Sequence, residues 1–171
     1  MANDEPLEAS LLALAADLGA ALQARGWTLA LAESCTGGWV AQTVTATAGS
    51  SAWFDRGFVT YSNAAKQEML GVSRLTLETH GAVSEHTALE MALGALKHSH
   101  ANITAAITGI AGPDGGTSEK PVGMVCLAWT TSEGLSESAT LHFSGDREQV
   151  RQQSVKVALE GLLQLTLSTD L

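Results

Sequence analysis

A serine acts as a nucleophile when a neighbouring base takes its proton and nearby donors hold the negative charge its attack creates. The hexapeptide Glu33-Ser34-Cys35-Thr36-Gly37-Gly38 offers the nucleophile and the donors. It joins an apolar run that reads as a strand to a run that reads as a helix. Ser34 therefore sits beside backbone N–H groups that a helix start leaves free, and those around Thr36 to Gly38 can meet an oxyanion. Gly37 and Gly38 let a ligand approach the backbone. The same residues also fit a plain helix cap, and they are not the Gly-x-Ser-x-Gly elbow of many hydrolases. Cys35 is a rival nucleophile, but no histidine is near it in sequence and it reads as a small packing residue.

The base is less obvious. None of the histidines, His80, His86, His98, His100 and His142, lies in a loop after a buried strand. They also lack zinc spacing, so neither a Ser-His-Asp triad nor a metal site is expected. Lys66 is the better candidate. It falls in the first turn of a helix that Ser62 or Asn63 can cap, where the positive helix end disfavours an ammonium. Burial would lower its pKa further, toward a value useful near neutrality. An exposed lysine on a surface helix remains the alternative. Tyr61, Ser62 and Asn63 follow a strand end, where ligands of open α/β sheets tend to bind.

Two further segments suit a ligand. The loop Thr108 to Gly116 carries Gly109, Gly112, Gly115 and Gly116 after a buried strand but lacks the Gly-Lys-Ser/Thr ending of a P-loop. It can cradle a ligand or an anion, or simply turn tightly on the surface. Asp114 there can bind a hydroxyl or make the turn. Arg147, after Asp146, opens the last helix. With that helix end it can hold a phosphate, or it can pair with surface charges.

These residues need a scaffold. Leu7, Leu11, Leu14, Leu18 and Leu22 recur at helical spacing and Gly26 stops them. Strands are predicted over Thr28 to Ala32, Gly57 to Tyr61, Ile103 to Ile107, Val122 to Thr130 and Ser138 to Phe143. The last alternates apolar and polar residues and should run antiparallel to the one before it. Helices are predicted over Trp39 to Ala46, around Lys66 up to Gly71, over Arg74 to Thr79, from Glu85 to Lys97 after the Ser84 cap, and from Asp146 onward. Strands in the middle and helices on both flanks give an α/β fold, a three-layer α/β/α sandwich with a mixed central sheet.

The 171 residues form one predicted domain, 1–171, long enough to bury a sizeable core. Charged residues are 16% and hydrophobic ones 45%, a soluble globular composition. The net charge of -9 repels phosphate backbones, so nucleic acid is not an expected partner, although a local cluster of donors can still hold one phosphate. The two cysteines, Cys35 and Cys126, make no disulfide framework, and Cys126 reads as core. Met1 to Pro6 is polar and acidic with no basic leader region, and no apolar run reaches the length of a membrane span. A cytoplasmic location without membrane attachment is expected.

Several stretches occur together in one order. They are Ala32 to Gly38, Gly49 to Phe54, Gly57 to Lys66, Gly81 to Ser84, Thr108 to Gly116, Lys120 to Gly123 and Phe143 to Arg147. From about Ala9 to Leu165 the chain resembles the CinA C-terminal domain family, named for competence/damage-inducible proteins. The resemblance implies a small-molecule substrate, nicotinamide mononucleotide, hydrolysed to nicotinate mononucleotide and ammonia in pyridine nucleotide salvage. It implies a Ser–Lys dyad at Ser34 and Lys66, with Tyr61 and Thr108 in the same pocket and able to relay a proton. Cys35, Thr36, Gly37, Gly38, Asn63, Gly109, Gly112 and Arg147 are the candidate substrate contacts. No metal or other cofactor is expected, and the family resemblance implies a homodimer. A second reading is a non-catalytic nucleotide-binding module linked to competence or DNA-damage response. A third, an esterase or peptidase, fits the pocket motifs less well.

Overall fold

The computed structural model describes residues 5–168. The ends of the predicted domain lie outside the described residues, as does most of the Met1–Pro6 stretch. The chain runs α1 (Glu5–Arg25), β1 (Leu29–Glu33), α2 (Trp39–Thr45), a 3-10 turn (Ser50–Ala52), β2 (Phe54–Val59), α3 (Asn63–Leu70), α4 (Arg74–His80), α5 (Glu85–Lys97), β3 (Ile103–Gly109), β4 (Met124–Thr131), β5 (Ser136–His142) and α6 (Arg147–Ser168). One sheet holds all five strands in the order β2-β1-β3-β4-β5. β1 runs parallel to β2 and to β3, while β4 and β5 are antiparallel additions. The sheet is therefore mixed.

Alternation along the strands decides which helices cover which face. Leu29 and Leu31 of β1, Ile103, Ala105 and Ile107 of β3, and Val125, Leu127 and Trp129 of β4 point to one side, where α1, α2 and α6 pack. Ala32, Ala106, Cys126 and Ala128 point to the other and meet α3, α4 and α5. The second face is built of small side chains, so its helices lie close to the sheet and to each other. Gly94 of α5 abuts the backbone carbonyl of Leu70 at the end of α3, with no room for a Cβ. This contact fixes α3, the helix that carries Lys66.

The predicted elements and the observed ones differ mainly at their ends. β1 starts one residue late because the Thr28 N–H is taken by the Asn102 side chain at 2.9 Å. It ends one residue late because the Glu33 side chain turns inward and is satisfied there. β2 is displaced upstream, and Thr60 and Tyr61 lie beyond it.

One expectation is corrected outright. Leu7–Arg25 of α1 is long and apolar enough, by length and composition, to cross a membrane. In the fold its stripe of Leu11, Ala15, Leu18 and Leu22 is buried in the core against α6 and α2.

Gly94→Ala tests the close approach of α5 and α3. Forcing a methyl against the Leu70 carbonyl is expected to cost about 1–3 kcal/mol, read by urea unfolding. A variant as stable as the wild type would mean that the two helices are not packed so tightly.

Candidate active site

The parallel register places three strand ends side by side. Glu33 is opposite Val59 on one side and Ile107 on the other. The ladder continues one step further: the Ser34 N–H donates to the Ile107 carbonyl at 2.9 Å, and the Thr60 N–H to the Glu33 carbonyl at 2.9 Å. Ser34, Thr60 and Thr108 thus line up at the carboxyl ends of β1, β2 and β3.

From the fourth residue of α3, the Lys66 side chain reaches back under this row. Ser62 is the helix cap, its hydroxyl accepting from the Ala65 N–H at 3.0 Å. The Lys66 amine lies 2.9 Å from Ser34 Oγ and donates to the carbonyls of Thr60 at 2.8 Å and Tyr61 at 3.3 Å. Lys66 is only 1% exposed. Burial pushes its pKa down, with a smaller opposing pull from Cys35. An ammonium in this place would lose most of its hydration, while a neutral amine with its two hydrogens on the carbonyls keeps a lone pair for Ser34.

Burial acts the other way on Cys35. Its thiol is pushed up to about 12, chiefly by desolvation, so it stays protonated near neutrality. Cys35 is a packed thiol on the cavity wall and not a competitor to Ser34.

The loop between Ser34 and α2 has few spare bonding groups. Gly38, with φ 102°, takes a left-handed conformation suited to glycine, and it caps α2 without a side chain. Glu33 serves in its place. Its Oε1 accepts from the Thr36 hydroxyl at 2.7 Å and the Val40 N–H at 2.8 Å, and its Oε2 from the Ala41 N–H at 3.0 Å. The Gly37 N–H donates to the Ser34 carbonyl at 3.0 Å. Across the loop, Arg151 of α6 donates from Nε to the Cys35 carbonyl at 3.0 Å and from Nη2 to the Thr36 carbonyl at 3.2 Å. Among the described residues, the N–H groups of Cys35, Thr36 and Gly38 donate no hydrogen bond to another residue, and that of Cys35 interacts with its own thiol.

A cavity of about 250 Å³ opens in front of Ser34. Ser34, Cys35, Lys66 and Thr108 line one side, with Tyr61 at the mouth, and the loop from Gly109 through Gly112 to Gly115 forms another side. Arg147 stands at the rim. It donates from Nη1 to the Gly112 carbonyl at 2.7 Å and from Nη2 to the Tyr61 hydroxyl at 3.2 Å. Tyr61 itself is 64% exposed, so its ring belongs to the mouth and not to the floor. The Thr108 hydroxyl donates to the Ala82 carbonyl at 2.8 Å, which leaves its oxygen facing outward as an acceptor.

Of the residues singled out by sequence, Ser34, Lys66, Tyr61, Thr108, Cys35, Gly109, Gly112 and Arg147 come together here, with Asp114 beside them. Thr36, Gly37, Gly38 and Asn63 are not on the wall. The Thr36 hydroxyl and the Gly37 N–H are committed within the loop, which narrows the possible oxyanion donors. At the N-terminus of α6 the Asp146 carboxylate accepts from the Gln149 N–H at 2.9 Å, beside Arg147.

Ala82 and Val83 line the cavity and had no signal in their own chemistry. Glu33 and Arg151 shape the loop without reaching the cavity wall. None of the five histidines lines it. Among the described residues, no three His, Cys, Asp or Glu side chains converge to hold a metal ion.

A three-layer α/β sandwich with a ligand-sized cavity at the carboxyl ends of its parallel strands defines the class. Within it, the chain belongs to the CinA family: residues 11–166 match the CinA C-terminal domain. It is 55% identical over 157 residues to the nicotinamide-nucleotide amidohydrolase PncC of Escherichia coli (strain K12), covering 92% of this chain and 95% of that protein. A CinA-like protein of Syntrophobacter fumaroxidans is 49% identical over 158 residues, 92% of this chain but 35% of the longer relative. Among solved structures, the competence/damage inducible protein CihA of Agrobacterium tumefaciens superposes with a TM-score of 0.89 at 48% identity, covering 91% of this chain and 94% of that one. The competence damage-inducible protein A of Klebsiella pneumoniae superposes with a TM-score of 0.90 at 41% identity, covering 94% and 99%.

The lowered Lys66 pKa has a consequence for stability. Between that value and the ordinary lysine range, the unfolded chain holds a proton that the folded chain does not, so stability rises with pH through this window. Cys35 contributes oppositely: above the ordinary thiol range the unfolded chain loses its proton first, and stability falls. Lys66→Met removes the first effect and leaves the second. The unfolding free energy of the wild type minus that of Lys66→Met should therefore grow as the pH is raised through the alkaline range in urea titrations. A difference that does not change with pH would mean an ordinary lysine pKa in the folded chain.

Proposed function

We propose that this chain hydrolyses the carboxamide of nicotinamide mononucleotide to nicotinate mononucleotide and ammonia, with Ser34 as nucleophile and Lys66 as its base. The observation that carries this reading is the 2.9 Å contact between Ser34 Oγ and a buried Lys66 amine at the wall of the cavity. The amidohydrolase relatives supply the substrate.

Neutral Lys66 accepts the Ser34 proton as Oγ attacks the carboxamide carbon. The carbonyl electrons move to oxygen, and the Cys35 N–H beside the nucleophile receives the charge. The tetrahedral intermediate collapses, the C–N bond breaks, and the proton held by Lys66 passes to the departing nitrogen. Lys66 delivers it directly or through the hydroxyl of Thr108 or Tyr61, which are bonded here to Ala82 and Arg147. Water then adds to the acyl-serine, again giving its proton to Lys66; the acyl C–Oγ bond breaks, Lys66 returns the proton to Ser34, and nicotinate mononucleotide leaves. Arg147 and the Gly109–Gly115 loop take the ribose phosphate end. That contact supplies binding energy away from the reacting atoms, so free nicotinamide should be a poor substrate.

The role belongs to pyridine nucleotide salvage, carried out in the cytoplasm by one domain working as a homodimer, without nucleic acid or membrane partners. A non-catalytic nucleotide-binding role is less well supported, because binding alone gives no reason to bury a lysine amine against a serine hydroxyl.

Ammonia release from nicotinamide mononucleotide tests the reading. Ser34→Ala and Lys66→Ala should each lower turnover by about 10³-fold or more while the circular dichroism spectrum is kept. The acid limb of the wild-type kcat profile should follow the lowered Lys66 pKa. Near wild-type turnover in Lys66→Ala would remove the dyad, and nucleotide binding without ammonia in the wild type would favour the module.

A further inference from the structure

We propose that Arg151 and Glu33 are positioning residues that set the oxyanion-binding shape of the nucleophile loop, although neither lines the cavity. The inference rests on Ser34 being the nucleophile. It starts from the loop's peptide planes. In a trans peptide the C=O and the next N–H point in opposite directions. Fixing one therefore aims the other.

Three planes are fixed in this way. The Ser34 carbonyl is held by the Gly37 N–H, which turns the Cys35 N–H outward from the turn. The Cys35 carbonyl is held by Arg151 Nε, which turns the Thr36 N–H away from α6. The Thr36 carbonyl is held by Arg151 Nη2. A guanidinium suits this task because its donors form a rigid planar fork, and one side chain can grip two successive carbonyls.

From the other side, the Glu33 carboxylate accepts the Thr36 hydroxyl and the Val40 and Ala41 N–H groups. It thereby absorbs the donors at the start of α2 that would otherwise compete for the developing charge. Glu33 is 1% exposed, a costly place for a polar side chain, and three accepted hydrogen bonds offset that cost. The loop is thus held between a cation on its carbonyls and a carboxylate on the Thr36 hydroxyl and the first turn of α2. Of the N–H groups of Cys35 and Thr36, that of Cys35 belongs to a residue on the cavity wall beside Ser34 and is the oxyanion donor; Arg151 steadies it through the Thr36–Gly37 peptide, whose N–H holds the Ser34 carbonyl.

A positioning role predicts a loss confined to the tetrahedral state. The probe is the 3-formylpyridine analogue of the nucleotide. Ser34 Oγ adds to its aldehyde carbon, the carbonyl electron pair moves to oxygen, and the serine proton passes to Lys66, giving a reversible tetrahedral adduct. In Arg151→Met, kcat for nicotinamide mononucleotide should fall about 100-fold, the scale of losing one oxyanion donor. The affinity for the aldehyde should fall by a similar factor. KM, affinity for the product nicotinate mononucleotide, and the acid limb of the pH profile should stay near wild type.

Arg151→Lys should recover little, since one ammonium cannot reproduce the fork. Glu33→Gln should repeat the pattern more weakly, because its amide nitrogen would face the Ala41 N–H. The proposal is overturned if kcat survives in Arg151→Met, or if aldehyde and product affinities fall together. If wild type binds the aldehyde no better than the product and Ser34→Ala still turns over, the nucleophile assignment itself fails, and this inference with it.

Discussion

A lysine amine with almost no water around it is the constraint on which the rest of this molecule turns. Lys66 has three hydrogen-bond partners, the Ser34 hydroxyl and two backbone carbonyls, and they come from just beyond the ends of β1 and β2. To bring them together, β1 and β2 must be parallel and in register, and α3 must start directly after the β2 edge. α3 must also sit low enough on the sheet for its side chain to reach under the strand ends. The small residues of the second sheet face and the close approach of Gly94 to Leu70 serve that requirement. The core on this side is built to let a helix come near, not to bury the largest area.

The opposite layer has a different task. α1 and α6 bring long apolar stripes and supply much of the bulk of the core. α6 also carries two arginines to the site. In a chain with 9 basic and 18 acidic residues, Arg147 and Arg151 lie around one loop cluster. The net field of the protein repels anions, and this small region offsets it locally. That distribution suits a single phosphorylated molecule better than a polymer of phosphates.

Much of this was legible in the sequence, for reasons that can be named. The α5 boundaries follow from the Ser84 cap and the 3.6-residue periodicity, and the structure keeps them as Glu85–Lys97. Ser34 and Thr108 could be picked out because each falls at the end of an apolar strand run, and Lys66 because it falls in the first turn of a capped helix. Arg151 could not. It is one of several polar residues on a long amphipathic helix, and its partners are carbonyls 116 and 115 residues away, which no local pattern announces. Glu33 looked like a loop residue because charge at the end of a hydrophobic run usually marks the surface. Its burial depends on donors supplied by a helix that begins six residues later. The apolar length of α1 shows the opposite limit: hydropathy cannot tell a stripe destined for α6 from one destined for lipid.

Arg147 and Arg151 stand four positions apart on one helix, just over a full turn, so they project from nearly the same side of α6. One grips the cavity rim and the other grips the nucleophile loop. The helix is in effect a ruler between substrate and serine, and its graduation is set by backbone geometry and not by either side chain. Inserting a single residue between the two would swing one of them by about 100° around the axis. Length changes are cheap in the turn between β4 and β5, but this four-residue interval can lengthen only by giving up one of its two grips.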